Sequence, residues 1–558
     1  MADTPGDDHT LLPDEVDNHH IDVQEAEGLF NELSKTLSRH SGHGTERPDP
    51  SSVALSGPRK DIEKGDFDDE DTRFDLREYL QSSNDANQAA GIKHKHVGVT
   101  WKDLEVRAFG GDDDKFYVPT FGKAVVDFFT LPISFTMSLL APLLPKQSGR
   151  TRIILHKQSG VVKPGEMCLV LGCPGAGCTT FLKAIANEAT GYASVTGTVN
   201  YAGIAASEMS QHYKGETVYN QEDDIHIATL TVGQTLDFAL STKTPGPRGR
   251  LPGISREEFN DSVKSMLLKM LNISHTAQTY VGDEFVRGVS GGERKRVSIA
   301  EMMATRARVL CFDNSTRGLD ASTALDFIKA MRAMTDVLGQ TTFATLYQAG
   351  EGIYDLFDKV LVLDKGRQVF FGPPSEARAY FEQLGYRSLP RQSTADYLTG
   401  CTDPNERQFA PGRSEYDVPS TPEELEAAFL ASPYIATMKD GLFKYDTAME
   451  TERLDQSAFR EAVAADKKRG VSKKSPYTVG FIGQVKALTK RQFQMRLQDK
   501  FQIVTSYGLS WILAFVIGGA YFNLPPTAAG AFTRGSVIFY ALFTSCMDTF
   551  SEVSGSKV

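Results

Sequence analysis

The chain has 558 residues, a formal net charge of -11 and a hydrophobic share of 41%. At roughly 150 residues per domain this length accommodates three or four structural units, and the hydrophobic share leaves room for a membrane part only as a minor fraction of the chain. The negative charge is local, because residues 1–50 hold 12 Asp/Glu against 3 Lys/Arg; this is a solvated tail rather than a property of the folded part, and no basic footprint points to a nucleic-acid partner.

Six cysteines, at 168, 173, 178, 311, 401 and 546, show neither zinc-site nor disulfide spacing. Cys168 and Cys311 lie in apolar runs and read as small core residues. A reducing, cytosolic setting fits, and the N-terminus offers no apolar run for a secretory signal.

In chain order, residues 1–70 predict a disordered acidic leader with a short helical patch near Gly28–Leu37. Residues 71–150 predict an N-terminal extension and connector. There, Phe74, Leu76, Tyr79 and Leu80 have helical spacing and His96–Val106 alternates like a strand. Residues 116–145 are apolar but interrupted by prolines, Lys123 and Asp127, so they read as a connector packing on the domain or touching a membrane surface. From Ile153 the pattern becomes strand, turn, strand, loop, helix. Met167–Leu171 is a buried parallel strand by its continuous apolar run, and Thr179–Glu188 is a helix. Val309–Phe312 and Thr342–Leu346 are further strands, and Leu361–Leu363 with Gln368–Phe371 form a hairpin around Lys365-Gly366. This alternation predicts an α/β domain with a mainly parallel sheet over residues 151–400.

Residues 401–479 read as a charged, mostly helical linker broken near Arg469–Pro476. Residues 480–500 are an amphipathic helix, with Phe481, Val485, Leu488 and Met495 on one side and Lys486, Lys490, Arg491 and Arg496 mostly on the other; it suits a membrane surface, and a plain surface helix is the alternative. Phe501–Tyr521 is apolar enough and long enough to span a bilayer, and the basic cluster before it places that side in the cytosol. Residues Gly535–Met547 begin a second, incomplete span.

Three motifs carry chemistry. Gly172-Cys173-Pro174-Gly175-Ala176-Gly177-Cys178-Thr179-Thr180 follows a strand and opens a helix, the context of a phosphate-cradling Walker A loop. Thr179 stands where a Mg²⁺-binding hydroxyl belongs. Cys178 stands where Lys belongs, and a thiol cannot supply the charge that stabilises a transferring phosphoryl group. Helix N-termini lower thiol pKa, so a redox role for Cys178 is a second reading; replacement without redox function is the plainer one. Val309–Asn314 is a Walker B strand ending in Asp313, a Mg²⁺ ligand. Asn314 replaces the usual Glu, and an amide can orient water but cannot accept its proton. Val289-Ser290-Gly291-Gly292-Glu293, at a helix start, offers hydroxyl and backbone donors suited to a γ-phosphate. Gly318-Leu319-Asp320 follows as a D-loop. His226 lies near these elements and reads as structural.

Together these motifs resemble the ATP-binding cassette (ABC) family. With the cassette preceding the membrane spans, the chain looks like the N-terminal half of a fungal pleiotropic drug resistance (PDR) transporter of the G-type branch. Cys178, Asn314, Tyr347 at the switch-His position and Glu222 at the Q-loop position carry that resemblance; Gln221 is adjacent, so the last alignment can shift by one. The resemblance implies an α/β P-loop NTPase followed by the start of an α-helical membrane domain. It implies ATP and Mg²⁺ as cofactors, and as partners a second cassette, the lipid bilayer and a hydrophobic small-molecule substrate, in a multi-pass and plasma-membrane setting. It further implies that ATP stays bound at residues 172–180 and Asp313 with little turnover, making the chain alone a poor ATPase, while Ser290–Glu293 completes the site of the second cassette. A non-transporting nucleotide-binding regulator, or an inactive truncated product, is the alternative. A G-type membrane domain has six spans, so one span and part of another read as a fragment.

Overall fold

A computed structural model describes residues 75–92, 96–109, 151–346, 348–451, 453–468, 470–523 and 535–544. The acidic leader, its helical patch, the 116–145 connector and Tyr347 lie outside them.

Helix α1 (Leu76–Ala89) starts at Asp75, whose carboxylate accepts from the backbone N–H groups of Arg77 and Glu78. Strand β1 (Val99–Phe109) pairs antiparallel with β2 (Thr151–Val162). It begins and ends three residues later than the alternation suggested, because His96–Gly98 carry no ladder. Next come β3 (Met167–Leu171), α2 (Cys178–Ile185), β4 (Ser194–Tyr201), β5 (Ile204–Ala205), α3 (Ala206–His212) and β6 (Thr217–Asn220). Helices α4 (Val232–Lys243), α5 (Arg256–Met270) and α6 (Gly291–Ala304) precede β7 (Val309–Phe312). Then follow α7 (Ala321–Leu338), β8 (Thr341–Thr345), α8 (Glu351–Tyr354), β9 (Lys359–Asp364) and β10 (Arg367–Gly372).

The strands form two sheets, a four-stranded antiparallel one in the order β2-β1-β4-β5 and a six-stranded one in the order β10-β9-β3-β8-β7-β6. In the larger sheet only β10 runs antiparallel. Strand β3, bounded by β8 and β9, is buried along its whole length, which is why it reads as an unbroken apolar run rather than an alternation. Trp101 of β1 joins the two sheets. Its ring packs edge-on against Phe181 of α2, Phe343 of β8 and Phe371 of β10, at centroid distances of 5.3, 6.0 and 5.6 Å. Gly160 of β2 lies so close that a Cβ there would stand 2.4 Å from the indole.

The β9–β10 hairpin turns at Lys365 and Gly366, both with positive φ (44° and 79°). Such a turn favours glycine, and here nothing else fits, since a Cβ at Gly366 would sit 1.8 Å from the Ile154 carbonyl oxygen. The turn braces two neighbours, as the Gly366 N–H donates to the Ala176 carbonyl and the His156 N–H to the Gly366 carbonyl, each at 2.8 Å.

Helices α9 (Pro374–Leu384) and α10 (Thr394–Thr402) follow the hairpin. The charged stretch after them is helical. It folds into α11 (Pro422–Ala431), α12 (Pro433–Thr451) and α13 (Arg453–Asp466), which bury Leu425, Phe429 and Phe459. Tyr445 of α12 accepts a 3.1 Å hydrogen bond from the Gly98 N–H, and Asp446 pairs with Lys102 at 2.5 Å. The sequence hid this packing because the outer faces of these helices are charged.

Helix α14 (Phe481–Gln498) meets α4 through its polar side chains. Arg491 lies over the Phe238 ring at 4.1 Å, and Gln498 donates to Gln234 at 2.9 Å. Its apolar side chains face outward, with Phe481 and Ile482 80% and 83% exposed. Helix α15 (Lys500–Ala520) contains the expected span. Its segment Ile503–Ala520 is apolar and none of it is buried, and at about 1.5 Å per residue the helix matches a ~30 Å hydrocarbon core. The second apolar segment is helical over Gly535–Thr544 (α16).

Candidate nucleotide site and signature motif

Strands β3, β6, β7 and β8 are parallel, so their carboxyl ends share one edge, the edge where open α/β sheets gather ligand-binding loops. That edge collects residues 172–180 after β3, Gln221 and Glu222 after β6, and Asp313 and Asn314 after β7.

The loop after β3 is shaped by its glycines. Gly175 and Gly177 have φ of 86° and 98°, and a Cβ at Gly172 would stand 2.6 Å from the Leu363 carbonyl and 2.8 Å from the Ala176 Cβ. Gly177 is the N-cap of α2 and no side chain caps that end, so the first-turn N–H groups are left to an outside acceptor. Ala176 is buried, Gly177, Cys178 and Thr180 are half-buried, and Thr179 is exposed beside the loop. This arrangement fits a nucleotide phosphate.

Asp313 is 1% exposed. Its carboxylate accepts from Tyr219 and Thr345 hydroxyls, both at 2.7 Å. Register explains the second bond, because Phe312 pairs with Ala344 across the parallel β7–β8 ladder. Burial and Asp313 push the Tyr219 phenol above its ordinary range, keeping it a donor. The Asn314 N–H donates to Thr345 Oγ1 at 2.9 Å, and Asn314 sits at φ 45°, a region Asn tolerates better than most residues. Cys178 is pushed up to about 12, first by burial and then by the nearby Asp313 carboxylate. It is therefore a neutral thiol. Desolvation here outweighs the lowering expected at a helix N-terminus.

Glu222 pairs with Arg317, and its backbone carbonyl accepts from Lys295 Nζ at 2.6 Å. Lys295 is 2% exposed and also faces Asp224 at 3.4 Å. Its neighbour Ser298 donates its one hydroxyl proton to Asp224 at 2.6 Å, so His226 Nε2 must donate to Ser298 Oγ at 2.7 Å. His226 is thus structural, as expected. Burial lowers its pKa from 6.5, so below that pH the unfolded chain takes up a proton that the folded chain resists. Stability conferred by neutral His226 is full above pH ~6.5 and is lost as pH falls, by at most about 1.4 kcal/mol per pH unit. The melting temperature should drop between pH 7.5 and 5.5, and His226→Gln should flatten that drop; an unaltered slope in the variant would refute the assignment.

Ser290 is the N-cap of α6 in a reciprocal box. Glu293 N–H donates to Ser290 Oγ at 3.3 Å and Ser290 N–H to Glu293 Oε2 at 2.8 Å. Glu293 is held low by the Ser290 N–H and then by His275. Ser290 and its neighbour Gly291 are exposed, with Val289 half-buried behind. Gly292 faces the D-loop, since a Cβ there would meet the Gly318 carbonyl at 3.5 Å and Leu319 at 3.7 Å. Asp320 then caps α7 by accepting from the Thr323 N–H and hydroxyl at 3.0 and 2.6 Å. Ser290 shares no hydrogen bond with residues 172–180 among the described residues. The chain therefore groups its motifs in two sets, the Walker loops around Asp313 and the signature with the D-loop. Sequence reasoning missed Tyr219, Thr345, Arg317 and Lys295. Parallel pairing of β7 with β8 was the one signal that could have found Thr345.

The sequence pattern of ABC transporters matches residues 155–317, that of the ABC-transporter N-terminal region residues 32–124, and that of ABC-2 type transporters residues 483–557. The chain belongs to the ABC transporters, with an ATP-binding cassette followed by the start of an ABC-2 membrane domain. It is 48% identical over 546 residues to ABC multidrug transporter I of Aspergillus fumigatus, covering 97% of this chain and 36% of that protein. It is 43% identical to ABC multidrug transporter atrF of the same fungus, over 94% of this chain and 33% of that one. ABC transporter G family member 17 of Dictyostelium discoideum is 42% identical over 89% of this chain and 33% of its own length. These relatives place the chain with the cassette-first part of fungal ABC multidrug transporters and of G-family ABC transporters. The chain spans about a third of the length of the relatives it matches.

Proposed function

We propose that this chain is the ATP-retaining half of an exporter of hydrophobic small molecules, located in the plasma membrane with its cassette in the cytosol. The observation that carries the reading is a contrast between the two sets of motifs. The Walker pair lacks two groups that turnover needs, whereas the signature keeps its cap and an exposed serine at Ser290.

Residues 172–180 and the first turn of α2 bind phosphate oxygens, and Thr179 with Asp313 holds Mg²⁺, which when bound neutralises phosphate charge. Tyr219 and Thr345 fix the Asp313 carboxylate. Cys178 contributes no charge, Asn314 orients a water without accepting its proton, and Glu222 is engaged by Arg317. Tyr347 occupies the switch position, where a phenol replaces an imidazole. The site therefore holds nucleotide and turns it over slowly. Val289–Glu293 and Gly318–Asp320 serve a second cassette, donating to a γ-phosphate held there. The names of the relatives support multidrug export as the activity of the whole assembly.

The test uses the full-length transporter with photo-crosslinkable, labelled ATP. The peptide containing residues 172–180 should carry intact triphosphate after many turnovers of the whole protein, and Asp313→Asn should lose the label. Recovery of diphosphate there, formed at the overall turnover rate, overturns the reading.

A further inference from the structure

Helix α5 ends at Leu271, and the chain turns there through Asn272, whose φ is 51°. A single 3₁₀ turn, Ser274–Thr276, follows. Ile273 and Thr276 are buried, and the Thr276 hydroxyl donates to the Ile273 carbonyl at 2.8 Å. These residues anchor the turn on either side of His275, whose own side chain is 66% exposed.

Two side chains join this turn to the signature. Arg296 of α6 donates through Nη1 to the carbonyls of Leu271 and Asn272, at 3.1 and 3.2 Å, and through Nε to the Gly292 carbonyl at 3.3 Å. The imidazole Nε2 of His275 lies 2.9 Å from Glu293 Oε1. An ionised carboxylate only accepts, so His275 is the donor. The other oxygen, Oε2, accepts from the Ser290 N–H at 2.8 Å.

The Glu293 carboxylate is therefore held at two points, by His275 on one oxygen and by Ser290 on the other. With Ser290 alone it would pivot on a flexible stem. An exposed pair of this kind adds little to stability, and His275 fills no part of the core, so the contact matters for geometry. We infer that His275 is a positioning residue of the signature. By donating to Glu293 it fixes the carboxylate that holds the Ser290 N–H, and with it the angle at which Ser290 and Gly291 face the phosphate of a second cassette. Functional groups held by a supporting layer of hydrogen bonds keep the geometry their chemistry needs. The inference rests on the role proposed above for Val289–Glu293.

The test measures ATP turnover by the full-length transporter. His275→Leu, and the polar but shorter His275→Asn, should each lower kcat about tenfold, as expected for a lost hydrogen bond to a charged group, with KM for ATP altered less than about threefold. His275→Gln keeps a donor and should restore at least half the activity. Retention of labelled ATP at residues 172–180 should be unaltered in all three, which separates a misplaced signature from a damaged cassette. In a Glu293→Ala background, His275→Leu should cost nothing further, because its effect passes through that carboxylate. Wild-type kcat in both the Leu and Asn variants overturns the inference, as does a full tenfold loss on top of Glu293→Ala, or a Gln variant as impaired as Leu. Ser290→Ala separates the two levels of the argument. If it leaves turnover unaltered, the role of the signature falls and the inference with it; if it lowers turnover while the His275 variants do not, the inference alone falls.

Discussion

Ser290→Arg in the full-length transporter should abolish efflux and reduce ATP turnover by about a hundredfold or more, the loss seen when a donor to developing phosphate or oxyanion charge is removed. Two effects combine. The serine hydroxyl disappears, and a long cation replaces it beside the exposed Gly291, where the proposed partner's phosphate would approach. The substitution also removes the α6 cap, worth about 1 kcal/mol, so folding needs its own control. Ser290→Thr keeps both the cap and the hydroxyl and should retain activity. The same loss should not follow from changes at Cys178, because its site is proposed to turn over little. Substrate accumulation and ATPase rate measure the effect; normal efflux by a folded Ser290→Arg protein would remove Ser290 from its role.

The second large effect is on stability. Trp101→Ala should destabilise the cassette by about 3–5 kcal/mol. Trp101 is fully buried and touches aromatic rings of α2, β8 and β10, so its removal leaves a cavity bounded by both sheets that neither can collapse to fill. Gly160→Ala should act in the opposite geometric sense, overpacking the same spot at a cost of about 1–3 kcal/mol. In the double variant the Cβ at 160 occupies part of the space the indole leaves, so the two costs should sum to less than their separate values. Denaturant unfolding of the purified chain reads all three, and simple additivity would sink this account of the sheet-to-sheet contact.

The α/β order, the loop after Met167–Leu171, the Asp at the end of Val309–Phe312 and the hairpin at Lys365-Gly366 were all legible in the sequence. Each rests on a local rule: continuous apolar runs for buried parallel strands, glycine where φ is positive, and a strand–loop–helix order around phosphate. The partners that tune the site were not legible. Arg317 meets Glu222 across nearly a hundred residues, and Lys295, the middle of three consecutive basic residues, is packed inward by α6. The environment of Cys178 reversed a local expectation, since the helix end favours a thiolate but the surrounding burial and Asp313 do not. The helices of residues 422–466 were legible as helices but not as part of the cassette, because polar residues dominate their composition and the few aromatic anchors are widely spaced.

That last packing also sets an order of events. Tyr445 and Asp446 close over the start of β1, yet they are made more than three hundred residues after it. During synthesis the first sheet must therefore wait for α12 with its edge and the Gly98 N–H uncovered. The span at Ile503–Ala520 follows only a few tens of residues beyond α13, which at about 5–20 residues per second is a matter of seconds. Completion of the cassette and delivery of the first membrane helix thus overlap in time, and slow closure of α11–α13 would leave a half-covered sheet tethered at the bilayer while the next segment is inserted.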